Sequence, residues 1–473
     1  MNEYIVTIGV ETHIQIKTKS KIFCKCSAEF TDEPNKNVCP ICMGMPGVMP
    51  TLNFEVVPLA IKTALALNCN INRISGFARK NYFYPDLPKG YQITQHEFPL
   101  ATSGYMQLRS GKKVRIRRIH LEEDTGKMIH DQDQNSLLDF NRAGVPLMEI
   151  VTEPDFNSEK EVIEYLENLQ RIVRYLDVST ANMEFGELRG EPNISLRKKD
   201  DEKLGTKTEI KNLNSFKSIE KGIILEIERQ KDLLSKGEKI VSVTMLFDEK
   251  KQELRPMRKK ESVSEYRYFP EPDLPDLILS ENFVEDVKKS IVELPLQKME
   301  RFQKDYGLNF EESEIIASDK DFADFFENSI DGVKNLKRVT KFFIREIPAI
   351  LNEKKMGVKD LKFNHKDLNK LLLMIDEEKV NLNFAQDILK KMSLTGNAPD
   401  TIIKSEGENL SLNEKDVENM IMEVIEENGK EVERYKNGED KLFGYLVGQC
   451  MKKTKNRANP KLINEKLKEI LKK

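Results

Sequence analysis

Runs of alternating or β-branched residues recur through the first 293 positions. Tyr4–Ile8, Val114–Ile119, Leu147–Val151, Asn193–Leu196 and Ile240–Leu246 are such runs and read as strands. Turn-rich connections such as Tyr84-Pro-Asp-Leu-Pro-Lys-Gly90 separate them. Helical spacing interrupts the pattern at Ser158–Tyr175, where Val162, Ile163, Tyr165, Leu166, Leu169, Ile172 and Val173 share one side, and again at Ser218–Leu234. Strands mixed with a few helices predict an α+β domain with a large antiparallel sheet over 1–293.

The period changes after the proline cluster Pro270-Glu-Pro-Asp-Leu-Pro275. From 294 to 405 the apolar positions fall at helical spacing, as in Leu368, Leu371, Leu372 and Ile375, then Ala385, Ile388, Leu389 and Met392. This predicts an all-helical domain. The break Ser405-Glu-Gly-Glu-Asn409 leads to a third unit, 406–473. There Asn413 suits an N-cap, Val417, Met420, Ile421, Val424 and Ile425 form a stripe, and Asn428-Gly429 suits a stop. Asn459-Pro460 opens a last helix with Leu462, Ile463, Leu467, Ile470 and Leu471 on one side and lysines on the other. A small helical bundle with a basic face is expected.

Composition adds two constraints. With 33% charged residues, 39% hydrophobic residues and no long apolar run, the chain is expected to be cytoplasmic and to have no membrane contact. Its net charge of −3 hides an asymmetry: nine Lys or Arg oppose two Glu between Gly444 and Lys473, leaving about −10 for the rest. A basic tail on an acidic body points to a local site for a polyanion; an ordinary lysine-rich helix face is the simpler alternative.

Four of the six cysteines lie close together, as Cys24-Lys-Cys26 and Cys39-Pro-Ile-Cys42. Two close pairs of this kind read as a zinc knuckle rather than as disulfides, with free or redox-active thiols as the alternative. Four thiolates would leave the ion no open position, so its role would be structural.

No phosphate-binding glycine loop, dinucleotide fingerprint or nucleophile elbow is present. Carboxylates and histidine stand on strand-like segments instead. Glu11 and His13 are two apart, hence on one face of a strand. Glu122-Glu123-Asp124 ends another, and Glu149 lies inside the apolar run Pro146–Val151. A carboxylate in such a run needs a partner, and a hard ion such as Mg²⁺ would serve. Solvated turns, or a pair between Glu149 and Arg142, would explain the same residues without a metal. Two segments mix cations with aromatic rings, Ala78–Asp86 and Arg255–Pro270, a combination suited to phosphates and bases.

Taken in order, these segments resemble the B-subunit family of the tRNA-dependent amidotransferases. The matching runs are Gly9-Val-Glu-Thr-His13, Arg79-Lys-Asn-Tyr-Phe-Tyr-Pro-Asp86, His120-Leu-Glu-Glu-Asp-Thr-Gly-Lys127 and Asp139–Glu149. They continue through Gly205–Phe216, Tyr266–Asp273 and Gly444-Tyr-Leu-Val-Gly-Gln449 with Ala458-Asn-Pro460. The resemblance spans essentially the whole chain. It implies a cradle-shaped kinase-type domain that binds ATP and Mg²⁺, and a helical tail that binds tRNA. On its positions fall Glu11, His13, Glu123 and Glu149 as Mg²⁺ ligands, with Glu122 beside them, and Lys80, Tyr82, Asn214 and Ser215 near ATP. Lys80, Glu123 and Glu149 are the implied catalytic residues, and Cys24, Cys26, Cys39 and Cys42 the zinc ligands that some members keep. Gly444, Leu446, Gly448, Lys452, Lys453 and Lys455 fall on the tRNA-binding tail.

The implied reaction is phosphorylation of the side-chain carboxylate of misacylated Glu-tRNA(Gln) or Asp-tRNA(Asn), then amidation. The ammonia would come from an amidase-type A subunit, and the pair would be braced by a small C subunit. One run departs from the family: Arg189-Gly-Glu-Pro-Asn193 stands where Arg-Cys-Asp-Ala-Asn is usual, which puts a role for side chains 190–192 in doubt. In the related archaeal-type E subunit, a large insertion precedes the helical domain, and the direct passage from Pro275 to Leu294 argues against it. A tRNA-binding scaffold without kinase chemistry is the competing reading from another class.

Overall fold

In the computed structural model the described residues are 4–130, 135–259, 263–405, 414–454 and 460–472. Gly407, Asn413, Lys455 and Asn459, singled out above, lie outside them, as do residues 260–262 of the Arg255–Pro270 segment. The chain divides into two units, Met1–Leu294 and Pro295–Lys473.

The first unit opens with the long strand β1 (Tyr4–Gln15), followed by helix α1 (Val56–Ala66). Short strands β2 (Asn70–Ile71), β3 (Ile74–Ser75), β4 (Ala78–Asn81) and β5 (Tyr91–Thr94) lead to β6 (Ala101–Gln107) and β7 (Lys113–Glu123). Next come β8 (Lys127–His130), β9 (Ser136–Asp139) and β10 (Pro146–Thr152). Helix α2 (Glu159–Tyr175), β11 (Leu188–Lys198), β12 (Thr208–Lys211), helix α3 (Phe216–Ser235), β13 (Val243–Asp248) and β14 (Glu253–Lys259) follow. The unit closes with β15 (Phe269–Pro270), β16 (Leu277–Ile278) and α4 (Glu281–Lys289).

Nine strands form the main sheet in the order β14-β13-β12-β11-β1-β10-β7-β6-β2. The expected all-antiparallel pairing needs one correction, because β12 and β13 run parallel. The connection between them is α3, and a parallel pair requires such a crossover. Along β1 the period is strict: Ile8, Val10, Thr12 and Ile14 are buried on one face, and Gly9, Glu11, His13 and Gln15 alternate with them on the other. The apolar face packs on Val162, Leu166, Leu169 and Val173 of α2 and on Ile219 and Ile223 of α3. Ser158 and Ser215 cap these helices by accepting from Glu161 N and Ser218 N. At Gly190 a Cβ would lie 3.1 Å from Leu166 and 3.3 Å from Ile219, so both helices press on β11 where it has no side chain.

One irregularity matters for function. Strand β7 buries Val114 and Ile116, then Ile119 and Leu121, so its phase slips by one residue. The slip is a bulge: Thr152 pairs with Ile116, but Val151 pairs with Arg118. From there Arg118, His120 and Glu122 face the same way as Glu149 and His13.

Among its described residues the second unit contains helices and no strand, beginning with α5 (Pro295–Tyr306), α6 (Phe310–Ile316), α7 (Lys320–Ser329), α8 (Leu336–Lys354), α9 (His365–Asp376), α10 (Leu382–Thr395) and α11 (Pro399–Ser405). Their core is built on residues such as Phe302, Phe326, Phe343, Leu371 and Ile388. Helices α12 (Glu414–Glu427), α13 (Gly429–Lys436), α14 (Lys441–Lys453) and α15 (Pro460–Lys472) surround a separate core of Val417, Ile421, Val424, Leu446, Ile463 and Leu467.

Candidate functional site

The side of the sheet away from α2 and α3 carries two clusters that meet on β1. Register places His13 opposite Glu149, and Glu149 opposite His120. His13 Nε2 lies 3.6 Å from both Glu122 Oε1 and Glu149 Oε2. His120 Nε2 lies 3.1 Å from Glu149 and 3.7 Å from Glu122. Thr94 of β5 donates its hydroxyl to Glu122 at 3.1 Å. One ligand atom from each of His13, Glu122 and Glu149 falls within 4.8 Å of the others.

Two residues along β1, Glu11 stands opposite Glu191 of β11, and Asn193 stands opposite Glu209 of β12. Glu11, Glu191 and Glu209 form the second group with ligand atoms within 4.8 Å. Lys211 bridges Glu191 at 2.9 Å and Glu209 at 3.5 Å, and Asn193 donates to Glu11 at 3.2 Å.

Packing so many charges together shifts their titration. Burial opposes the charged form of His13, but the hydrogen bond to Glu149 and the charges of Glu149, Glu191 and Glu122 raise its pKa to about 9. Burial also opposes the charged His120, and Glu149 and Glu122 raise it nonetheless. Glu149 is pulled well below the usual range, against its burial, by His120 and His13; Glu122 moves the same way. For Glu191 burial again favours the neutral form, yet Lys211, His13 and Arg189 draw it down to about 2.

Lys80 projects from β4 beside this face. Burial disfavours its charge, but Glu122, Tyr268 and Glu149 raise its pKa above the ordinary lysine value. Its ammonium lies 5.1 Å from the Tyr266 ring centre and 5.8 Å from that of Tyr82. Behind it, His96 and Tyr268 stack at 3.9 Å with 17° between their planes.

The sequence-based expectation grouped Glu123 with the metal ligands. In the fold Glu123 ends up elsewhere, because neighbours on a strand point to opposite faces. It pairs with Lys89 and accepts from Ile93 N at 2.9 Å, while Glu122 takes the place beside His13. Asp124 anchors Arg189 at 2.8 Å and accepts from Gln15 at 3.0 Å. Ser215 is engaged as a helix cap and Asn214 next to it is exposed.

His120, Glu191, Glu209 and Lys211 were missed. The unusual Gly190-Glu-Pro192 run hid Glu191, but Gly190 faces the helices and Glu191 the site. The alternation of β11 about Gly190 was the signal that would have found it.

The donor sets, one imidazole with two carboxylates and three carboxylates, suit hard divalent ions such as Mg²⁺. Among the described residues, five of the ten buried side-chain atoms without a hydrogen-bond partner belong to His13, His96, Arg118, His120 and Arg189, the residues on and around this face. Such a concentration fits a face built to hold a polar ligand.

The cysteine group is a separate centre. The Sγ atoms of Cys24, Cys26, Cys39 and Cys42 lie within 4.8 Å of one another, and none forms a disulfide. The Cys42 thiol is lowered to about 4, first by its hydrogen bond with Cys24, with help from the Cys39 backbone and the Lys21 charge. Lys21 is fully buried; its Nζ lies 3.7 Å from Cys42 Sγ and 3.2 Å from Phe140 O. Four thiols with a buried ammonium beside them fit a tetrathiolate zinc ion, whose surplus negative charge the lysine offsets.

In the tail, Gly444, Gly448 and Lys452 lie on one exposed line of α14, with open space around both glycines. Leu446, expected among the tRNA contacts, is instead fully buried in the tail core. Lys453 is tied to Glu423 at 2.9 Å and to Glu427. Among the described residues no helix is long and apolar enough to cross a membrane.

Comparison with known proteins gives a consistent result. The GatB/GatE catalytic domain family matches residues 6–285, and the GatB domain family residues 324–471. The B subunit of the aspartyl/glutamyl-tRNA(Asn/Gln) amidotransferase of Thermodesulfovibrio yellowstonii is 46% identical over 99% of this chain and 100% of its own length. Its namesake from Persephonella marina is also 46% identical with the same coverage, and that from Clostridium novyi 43% over 98% of each chain.

Proposed function

The chain belongs to the GatB/GatE family, and we propose on that premise that it is the subunit which activates a carboxylate on misacylated tRNA with ATP. The carrying observation is the pair of acidic clusters that share β1, with Lys80 beside them. His13, Glu122 and Glu149 would hold one Mg²⁺, and Glu11, Glu191 and Glu209 a second. When bound, these ions supply the positive charge that draws a nucleotide triphosphate to an otherwise acidic face.

The chain's own residues then hold the geometry. Thr94 fixes Glu122, His120 fixes Glu149, and Asp124 with Arg189 braces the strand ends. Lys80 brings its ammonium to where negative charge gathers as the side-chain carboxylate of Glu-tRNA(Gln) or Asp-tRNA(Asn) attacks the γ-phosphate. That attack forms the bond from carboxylate oxygen to phosphorus and releases ADP. Ammonia from an amidase-type A subunit would then displace phosphate and leave the amide. The proposed complex is completed by a small C subunit. The knuckle would hold structural zinc, and the Gly444–Gly448–Lys452 line would let the tRNA backbone approach α14 closely.

The test is phosphate release from ATP by this chain assembled with its A and C subunits, with and without misacylated tRNA, for wild type and Glu149→Gln. Turnover that needs misacylated tRNA and collapses in the variant supports the reading. Tight tRNA binding with no ATP turnover in wild type sinks it in favour of a scaffold.

A further inference from the structure

Strand β7 carries three closely spaced arginines, and two of them are already paired. Arg115 makes a two-pronged pair with Asp155 at 2.7 and 2.9 Å. Arg117 makes another with Glu153 at 2.8 and 2.9 Å. The Arg118 side chain has no ion pair or hydrogen bond among the described residues, and its Nε is buried without a partner. A half-buried guanidinium left unpaired costs free energy, so an anion that completes it is the simplest account.

The bulge decides where this group sits. It turns Arg118 onto the same face as His120 and Glu122, in the row Glu191–Glu11–Val151–Arg118–Thr102 across β11, β1, β10, β7 and β6. Arg118 is therefore two strands from Glu11, about 10 Å between Cα atoms at ~4.8 Å per strand. Along β7 it is two residues from His120, roughly 6–7 Å. It lies on the β7–β6 side of the His13–Glu122–Glu149 cluster, in the same row as Glu11 and Glu191 but two and three strands away from them. With the metal-bound phosphates on the two acidic clusters, the β7–β6 side of the first is left for a second substrate.

The neighbours of Arg118 favour one kind of anion. The residue beside it in the row is Val151, an apolar floor, and close by stand the stacked rings of His96 and Tyr268. The charge of Arg118 reaches His96 strongly enough to help hold that imidazole below its ordinary pKa, after burial. One planar fork over a methyl-bearing floor matches a carboxylate on a short methylene chain. A nucleotide phosphate would call for a broader array of donors.

We propose that Arg118 receives the side-chain carboxylate of the aminoacyl group and aligns it for phosphorylation. This rests on the functional reading above and makes Arg118 a substrate-binding residue separate from the nucleotide site. A tRNA phosphate offers the same oxyanion chemistry, so the experiment has to separate the two sources.

The assembled complex is assayed for phosphate release at saturating ATP against misacylated tRNA, comparing wild type, Arg118→Gln and Arg118→Lys. The expected result is a rise in KM for misacylated tRNA of at least about tenfold in Arg118→Gln. Arg118→Lys, which keeps charge but loses the fork, should fall between. KM for ATP and affinity for deacylated tRNA should stay within about twofold in both, which also reports correct assembly. Partial recovery of Arg118→Gln by added guanidinium ion would support the assignment further. An unchanged KM for misacylated tRNA overturns it. So does an equal loss for deacylated tRNA, which would make Arg118 a backbone contact, or a rise in KM for ATP. If wild type shows no turnover that depends on misacylated tRNA, the functional reading fails first and this assignment falls with it.

Discussion

The cysteine knuckle and the acidic face of the sheet are both able to hold metal, and they are built in opposite ways. The knuckle gathers four sulfurs from residues 24 to 42, with one buried lysine beside them. The acidic face gathers six ligand residues from positions 11 to 209, carried on five different strands. The first is closed by its own local chain; the second exists only because antiparallel register aligns distant strands. Damage to the local cluster falls on stability, whereas removing one member of a register-built cluster strikes chemistry directly.

The sharpest way to break that contrast is Glu149→Gln. It should lower tRNA-dependent ATP turnover by about 10²–10³-fold, or ~3–4 kcal/mol, while zinc content stays at the wild-type level. Coupled loss of zinc would mean that the two centres are not independent.

Next in size is the comparison of neighbours on β7. Glu122→Gln should weaken binding of a divalent ion by roughly 10–100-fold in titration calorimetry. Glu123→Gln should leave that affinity within about twofold. It should instead lower Tm by roughly 6–12 °C, because Lys89 loses its buried partner at a cost of ~3 kcal/mol. The reverse pattern would restore Glu123 to the metal site.

Cys39→Ser should lower Tm by roughly 4–8 °C, about 2 kcal/mol, with zinc lost by elemental analysis. Turnover at 25 °C should remain within about threefold of wild type. A collapse of turnover without unfolding would give the knuckle a catalytic role.

The smallest effect concerns protons. With its pKa near 9, His13 is an imidazolium at neutral pH in the metal-free protein, and ligation through Nε2 requires that proton to leave. Calorimetry in buffers of different ionisation enthalpy should show about one proton released per ion at pH 7. Affinity should rise with pH and level off near 9. The stabilisation that the metal-free fold draws from this imidazolium has the opposite trend. It is full below the ordinary value of 6.5 and is lost as pH rises through about 9.

These two regions also show why part of the molecule could be read directly and part could not. The knuckle, the helix at 159–175 with its Ser158 cap, and the alternation of β1 are short-range patterns, and the structure has each of them. Glu11 and His13 on one face follow from period alone. Choosing Glu122 over Glu123 requires knowing that β7 slips by one residue near Arg117, and no local rule marks where a bulge falls. Glu191 and Glu209 were invisible for a related reason: their value depends on which strand lies next to β1, and that is a property of the whole sheet. In the tail, Leu446 has the spacing of a core residue, and the family motif drew attention away from it.

Lys21 carries one last consequence. Its ammonium is sealed from water and faces a sulfur and a carbonyl, with no carboxylate partner among the described residues. Were the cysteines alone replaced over generations, that charge would be stranded in the interior, at a cost of several kcal/mol. The four sulfurs and this lysine are therefore expected to be kept or exchanged together. Lineages that discard the knuckle should carry an apolar or smaller residue in the lysine's place, and those that keep it should keep all five.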